Sequence, residues 1–128
     1  MPNNSDIAKL LLRVSLGGLI LFHGVHKVIY GIDAIELLLV DGGFPKILAY
    51  GVYVGELIAP IFVILGLYAR VASLVIMFNM FMAIFLAYGF TLSLSKYGGV
   101  SIESPLLFFI LSLLLFLLGS GKYSVNNK

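Results

Sequence analysis

The stretch that decides the fold is residues 47–67, ILAYGVYVGELIAPIFVILGL, in which Glu56 is the one charged side chain. A helix of about 20 mostly apolar residues crosses the hydrocarbon core of a bilayer. Residues 7–29 and 71–94 have the same character, and residues 105–118 form a shorter apolar run that needs flanking residues to span. The sequence therefore predicts an all-α integral membrane protein, a bundle of four helices.

Composition supports the same fold class over the whole chain. Of the 128 residues, 61% are hydrophobic and 11% are charged, whereas soluble domains are about 45–50% apolar and about 25% charged. A soluble protein of this length has too little interior to hide that much apolar surface. We therefore expect one membrane domain over residues 1–128, with the lipid bilayer as its main partner.

Charge and cysteine content exclude several kinds of function. The net charge is +2 and no run of Lys and Arg is present, so the sequence gives no indication of nucleic-acid binding. The chain has no cysteine, which excludes disulfides, thiolate metal sites and covalent c-type haem. No covalent cofactor is expected, and a redox role requires a separately bound carrier. The polar start, residues 1–6, lacks a basic region, which favours a retained first helix over a cleaved signal peptide.

The link between the first two spans contains a short predicted helix. Asp33 is followed three residues later by Glu36, a spacing typical of an N-cap with its capping-box partner. Gly42-Gly43-Phe44-Pro45 then ends the helix, because glycine adopts C-cap conformations and proline cannot continue a helix. Since the segment has an apolar face, it is expected to lie on the outer membrane surface.

Lys and Arg residues predict the orientation of the chain. With both termini inside, the inner side holds Lys9, Arg13, Arg70, Lys122 and Lys128, and the outer side holds Lys27, Lys46 and Lys96. Inner loops carry the excess of basic residues. The sequence therefore predicts an N-in, C-in topology.

One face of the first helix carries both glycines and charges. At about 100° per residue, Arg13, Gly17, Gly24 and Lys27 share this face, with His23 at its margin. Glycines let another helix approach closely, so the face is expected to be a helix–helix contact. In the second helix, a GxxxG pattern (residues 51–55, with Gly51 and Gly55) is expected to form the surface that packs against this face.

Glu56 is the most informative residue because it lies ten positions from either end of its predicted helix. A carboxylate so deep in the membrane should pair, take a proton or face a polar cavity. Pro60 leaves the Glu56 carbonyl without its usual helical donor and favours a kink. Two interpretations stay open: a ligand or proton site, or a Glu56–Arg13 pair that only locks two helices together.

The other polar residues also have alternative interpretations. Arg13 either extends to the inner headgroups or pairs with an acid or a ligand. His23 and Lys27 are i,i+4 neighbours that either anchor the helix at the outer interface or bind an anionic or carbonyl-bearing headgroup. His23 and His26 have no third His or Cys to complete a metal site, so none is expected. Glu103 suits the start of the fourth helix, and Pro105 an early helical position.

Five stretches of the chain resemble the DoxX family. They are Arg13 with Gly17-Gly18 and residues 22–27 (FHGVHK), residues 42–45 (GGFP), residues 55–57 (GEL), residues 65–70 (LGLYAR) and residues 119–124 (GSGKYS). The resemblance implies a small four-helix protein of the bacterial cytoplasmic membrane, with the short helix on the periplasmic side. The family's last motif often ends in Asp, but Val125 and Asn126 follow here, so no role is carried over to a terminal carboxylate.

Family members resemble the membrane subunit of thiosulfate:quinone oxidoreductase, and others are linked to membrane complexes that handle oxidative stress. By this resemblance, Arg13, His23, Lys27 and Glu56 form a quinone or lipid-like ligand site, supported by Gly17, Gly24, Gly51, Gly55, Pro60, Arg70 and Glu103. The protein would be at most a non-catalytic or quinone-interacting subunit with a soluble or membrane redox partner. The alternatives are a transporter or lipid-binding protein, with a homo-oligomer as a candidate assembly, and a membrane anchor for a soluble enzyme.

Overall fold

The computed structural model describes residues 3–88 and 103–126, and every regular element in these two ranges is helical. The elements are α1 (Asn4–Tyr30), α2 (Asp33–Asp41), α3 (Lys46–Leu65), α4 (Ala69–Ala83, continued by a π-helical turn Ile84–Tyr88) and α5 (Glu103–Leu118). The predicted residues 89–94 of the third span lie outside the described residues. The predicted all-α fold is confirmed.

Three of the helices, α1, α3 and α4, are long and apolar enough to cross a membrane. The described α5 has 16 residues, which cover about 24 Å of a hydrocarbon core about 30 Å thick. It packs mainly along α4 and also touches α1. Large apolar side chains such as Phe22, Phe78 and Leu117 are exposed on the outside of the bundle, as expected where lipid is the solvent.

Helix α1 begins at Asn4, three residues before the predicted start. The side chain of Asn3 accepts a hydrogen bond of 2.8 Å from the backbone N–H of Asp6. This N-cap satisfies one of the donors that a helix start leaves unpaired. Polar capping therefore lengthens the helix beyond its apolar run, which is why hydropathy placed the start too late.

The short helix α2 is present as predicted, but its predicted capping box is wrong. Ile32 is the N-cap, and no side chain caps the helix. Asp33 and Glu36 lie instead within the first turn, where acidic charge favours the positive end of the helix dipole. Glu36 also pairs with Lys46 at 3.4 Å, which ties α2 to the start of α3.

The turn between α3 and α4 is tight, as predicted, and makes the two helices neighbours. Gly66 adopts a left-handed conformation with φ +72°. Its N–H donates to the Val63 carbonyl at 3.1 Å, and the Leu67 N–H donates to the Phe62 carbonyl at 2.9 Å. This pair of bonds is a Schellman motif. A side chain on residue 66 would also collide with Arg13 and Ser124.

Helices α1 and α3 are in close contact through the predicted glycine face. A Cβ on Gly17 would lie 2.8 Å from the Pro60 carbonyl oxygen, and a Cβ on Gly24 would collide with the Glu56 backbone. The GxxxG prediction for α3 is wrong. Gly55 packs against Asn79 of α4, and Gly51 has open space around it. The main core lies between the helices and includes Leu16, Ile20, Val63, Ile76, Met80 and Leu115.

Candidate functional site

A cavity of about 1150 Å³ lies between the helices in the half of the bundle that carries α2. Residues of α1, α2, α3, α4 and α5 line it. Its walls are mostly apolar, with Leu39 and Phe44 from the α2 side, Phe85 and Leu86 from the end of α4, and Phe108 from α5. Ligand sites in proteins are typically cavities of this kind, apolar with a few polar groups that fix orientation. We refer to it as the Glu56 cavity.

An ion pair between Lys27 and Glu56 forms the polar part of the Glu56 cavity. The ammonium of Lys27 contacts Oε2 of Glu56. The side chain of Glu56 is 5% exposed, whereas that of Lys27 is 26% exposed. The charged pair therefore has a buried acid and a cation that a molecule in the cavity can reach. Such intramembrane ionisable groups face cavities or partners and mark functional sites by default.

Of the two interpretations of Glu56, the Glu56–Arg13 pair that only locks two helices together is wrong, and the geometry of α1 shows why. The backbone of Glu56 lies against Gly24 of α1. Arg13 is eleven residues further down α1, about 16 Å along the axis. Lys27 is less than one turn from Gly24, and helical side chains lean toward the N-terminus of their helix. Lys27 therefore leans back onto Glu56, whereas Arg13 cannot reach it.

The backbone around Glu56 departs from a regular α-helix. Residues 54–58 form a π-helical turn, in which the N–H of Ala59 donates to the Val54 carbonyl. Pro60 follows directly and is buried. A proline ring interferes with the preceding turn, and π-turns occur at such positions and often at functional sites. The helix irregularity predicted at Pro60 is thus a local π-turn that contains Glu56.

Three further polar side chains line the Glu56 cavity, His23, Asn79 and Ser104. The His23 ring lies edge-on to Phe108, with centroids 5.8 Å apart and planes at 77°. Asn79 packs against Gly55 at the contact of α3 with α4. His23, Lys27 and Glu56 are thus three of the four predicted ligand residues, and the structure brings them to one cavity.

His26 and Glu103, by contrast, are not among the residues that line the Glu56 cavity. The His26 ring lies beside Tyr30, with centroids 4.5 Å apart. Glu103 is an exposed residue in the first turn of α5. Within residues 3–88 and 103–126, no three His, Asp or Glu side chains are grouped as metal ligands.

Arg13 lies at the opposite end of the bundle and is fully buried. Its guanidinium donates to the Ile64 carbonyl at 3.2 Å and to the Tyr123 carbonyl. Two of the predicted arrangements, extension to the headgroups and pairing with an acid, do not describe this contact. The Ile64 carbonyl lies in the last turn of α3, where the negative end of the helix dipole favours a cation, and the Tyr123 carbonyl belongs to the chain after α5. Arg13 therefore connects α1 to α3 and to the chain after α5.

Sequence reasoning missed the part of the chain that meets Arg13. The C-terminal segment, residues 119–126, folds back onto the α3–α4 turn. Val125 N–H donates to the Leu65 carbonyl at 3.0 Å, Asn126 N–H donates to the Gly66 carbonyl at 3.2 Å, and the Tyr68 N–H donates to Asn126 Oδ1 at 2.9 Å. The sequence feature that could have indicated this segment is the pair Gly119 and Gly121, because paired glycines after an apolar helix indicate an ordered turn. Both glycines have positive φ in the structure.

Comparison with known proteins identifies the family. The family model named DoxX matches residues 8–89, which include α1 to α4, the Lys27–Glu56 pair and Arg13. Neither the search of curated proteins nor the search of solved structures returned a match. Since the family model covers more than half of the chain, the protein belongs to the DoxX family of membrane proteins.

Proposed function

We propose that this protein binds a quinone or a similar lipid-like molecule in the Glu56 cavity, as the membrane subunit of a redox complex. The observation that carries the proposal is a reachable ion pair, Lys27–Glu56, inside an otherwise apolar cavity of about 1150 Å³. Lipid-like cofactors have a polar head and a long apolar tail. The cavity is divided in the same way, because its two charged side chains, Lys27 and Glu56, lie together and the rest of its wall is mostly apolar.

The donor set of the cavity suits the head of a quinone. Quinone oxygens accept hydrogen bonds, and the Lys27 ammonium and the His23 ring nitrogens lie at the cavity wall. Glu56 is a carboxylate that is able to receive or pass on a proton beside them. A bound quinone would supply the redox chemistry. The side chains of this chain hold and orient its head, exclude water through the apolar wall, and keep a proton acceptor nearby.

Electron transfer under this proposal needs a partner protein. The chain contains no cysteine, and thus no thiolate ligand for a metal cluster and no redox-active disulfide. The proposed role is accordingly that of a non-catalytic subunit, which presents the quinone to a soluble or membrane oxidoreductase.

A titration with decyl-ubiquinone tests the proposal. Purified protein in neutral detergent is titrated, and the dissociation constants of wild type, Glu56→Gln and Glu36→Gln are compared. Glu36 is a matched control, since it also pairs with a lysine but lies outside the cavity. We expect Glu56→Gln to weaken binding at least tenfold and Glu36→Gln to bind like wild type. Equal binding by all three proteins would overturn the proposal.

We also propose that the protein lies in the bacterial cytoplasmic membrane with both termini in the cytoplasm. The support is the grouping of basic residues: Arg13 and the C-terminal segment meet at one end, whereas Lys27 and Lys46 belong to the other. Alkaline phosphatase fused to the C-terminus should be inactive, and a fluorescent protein fused there should fold and fluoresce. The reverse result would overturn this topology.

A further inference from the structure

The end of the bundle opposite the Glu56 cavity carries a group of cations that the proposed function does not use. The C-terminal segment lies between two of them. A Cβ on Gly119 would lie 2.9 Å from a guanidinium nitrogen of Arg70, and a Cβ on Gly121 would lie 3.0 Å from the Cδ of Lys9. The segment itself contributes Lys122, which is exposed. We call Lys9, Arg70 and Lys122 the basic cluster.

No carboxylate compensates the basic cluster within the described residues. The ion pairs found there are Lys27–Glu56 and Lys46–Glu36, both at the other end. Asp6 lies one turn before Lys9 in α1 and forms no ion pair in the described chain. By contrast, Lys27 and Lys46, which are the described lysines at the cavity end, each have an acidic partner. The difference leaves the three positive charges of the basic cluster without an acidic partner among the described residues.

The same place also has buried donors that lack an acceptor. Nε of Arg13 and Oγ of Ser120 are buried and have no hydrogen-bond partner among the described residues. Arg13 already binds the Tyr123 carbonyl of the C-terminal segment, and Ser120 lies between Gly119 and Gly121. Buried polar groups normally find a partner, so two unpartnered ones beside a basic cluster independently indicate a missing acceptor.

Backbone hydrogen bonds hold the C-terminal segment in place before any ligand binds. A ligand therefore does not need to bring the cations of the basic cluster together. Residues 125 and 126 donate to the carbonyls of residues 65 and 66, and Arg13 fixes residue 123. The exposed apolar side chains of Leu117 and Leu118, the last residues of α5, lie next to the segment in sequence. A ligand at this place therefore meets both cations and apolar surface.

We propose that the basic cluster is a binding site for the phosphate of an acidic phospholipid. A phosphodiester supplies the negative charge and the acceptor oxygens, and the acyl chains lie against the apolar surface of α5. Basic groups at the ends of membrane helices bind such headgroups, at about 1 kcal/mol per Lys or Arg. This site is separate from the Glu56 cavity, and its existence does not depend on what the cavity binds.

Native mass spectrometry with added phosphatidylglycerol tests the site. In neutral detergent, the dissociation constant is measured for wild type, for Arg70→Gln, for the triple variant Lys9→Gln/Arg70→Gln/Lys122→Gln, and for the control Lys46→Gln. From the energy per charge, we expect roughly fivefold weaker binding for the single variant and roughly a hundredfold for the triple variant. The control should bind like wild type, because Lys46 lies at the other end.

Three results would overturn the proposal. One is unchanged binding in the triple variant, and another is equal weakening by Lys46→Gln, which would mean unspecific attraction to any basic surface. The third is displacement of the lipid by inorganic phosphate at the same concentration, which would make free phosphate the ligand. If the triple variant does not fold, Lys122→Gln decides alone, because Lys122 is exposed. Failure of decyl-ubiquinone binding would leave this result untouched.

Discussion

Two of the basic residues of helix α1, Arg13 and Lys27, have very different partners. Lys27 reaches a carboxylate and stays partly exposed to a cavity, whereas Arg13 is fully buried and donates to backbone carbonyls. The first arrangement pairs two full charges that a ligand can separate. The second places one cation between a carbonyl at the C-terminal end of α3 and a carbonyl of the segment after α5, and these two oxygens hold it. Under the proposed function, a charge inside a membrane helix marks a ligand site when its partner is also ionisable and accessible.

The largest expected effect is on Arg13. Replacing it by Met removes the donors of the Ile64 and Tyr123 carbonyls and releases the C-terminal segment from α1. Each of these two carbonyls left without a donor costs about 1–3 kcal/mol, so the free energy of unfolding should fall by roughly 2–6 kcal/mol. Reversible unfolding in mixed detergent measures this. A loss below about 0.5 kcal/mol would contradict this role of Arg13, because the residue would then not stabilise the contact of α1 with α3 and the C-terminal segment.

The next effect is on the helix contact that positions Glu56. Gly24→Ala places a methyl group against the Glu56 backbone, which cannot yield as a flexible side chain would. Overpacking of this kind costs about 1–3 kcal/mol, and it should also weaken binding of decyl-ubiquinone. Gly18→Ala is the matched control, because the space around Gly18 is open. Equal effects of the two substitutions on the thermal midpoint would contradict the described packing.

A double-mutant cycle on Lys27 and Glu56 measures the interaction energy between these two side chains. Glu56→Gln leaves the Lys27 ammonium without its acid, and Lys27→Met leaves the buried carboxylate alone. Each single variant should lose about 1–3 kcal/mol of stability, whereas the double variant should lose less than the sum. Additive losses would mean that the two side chains do not interact in the membrane.

The smallest expected effect concerns the ion pair of Glu36 with Lys46. The Lys46 side chain is 69% exposed, and exposed ion pairs contribute about 0–1 kcal/mol. Glu36→Gln should therefore change the thermal midpoint little. A loss as large as that of Glu56→Gln would show that exposure does not separate the two pairs.

The sequence predicted the helical membrane fold well because hydropathy over long windows needs no knowledge of contacts. It also singled out Glu56, His23 and Lys27, which the structure brings to one cavity, and the glycine face of α1. It failed to pair Glu56 with Lys27, since that pairing depends on the register of α1 against α3, which Gly24 sets. It also gave no structure to the C-terminal segment, whose order comes from backbone hydrogen bonds to the distant residues 65 and 66.

The most direct test of the central claim compares the binding of decyl-ubiquinone by Lys27→Gln and Arg13→Lys. The second substitution keeps the buried charge but loses the planar guanidinium that bonds two carbonyls. We predict that Lys27→Gln binds at least tenfold more weakly than wild type, and that folded Arg13→Lys binds normally despite a lower thermal midpoint. Normal binding by Lys27→Gln, or a loss confined to Arg13→Lys, would contradict the assignment of the ligand site to the Glu56 cavity.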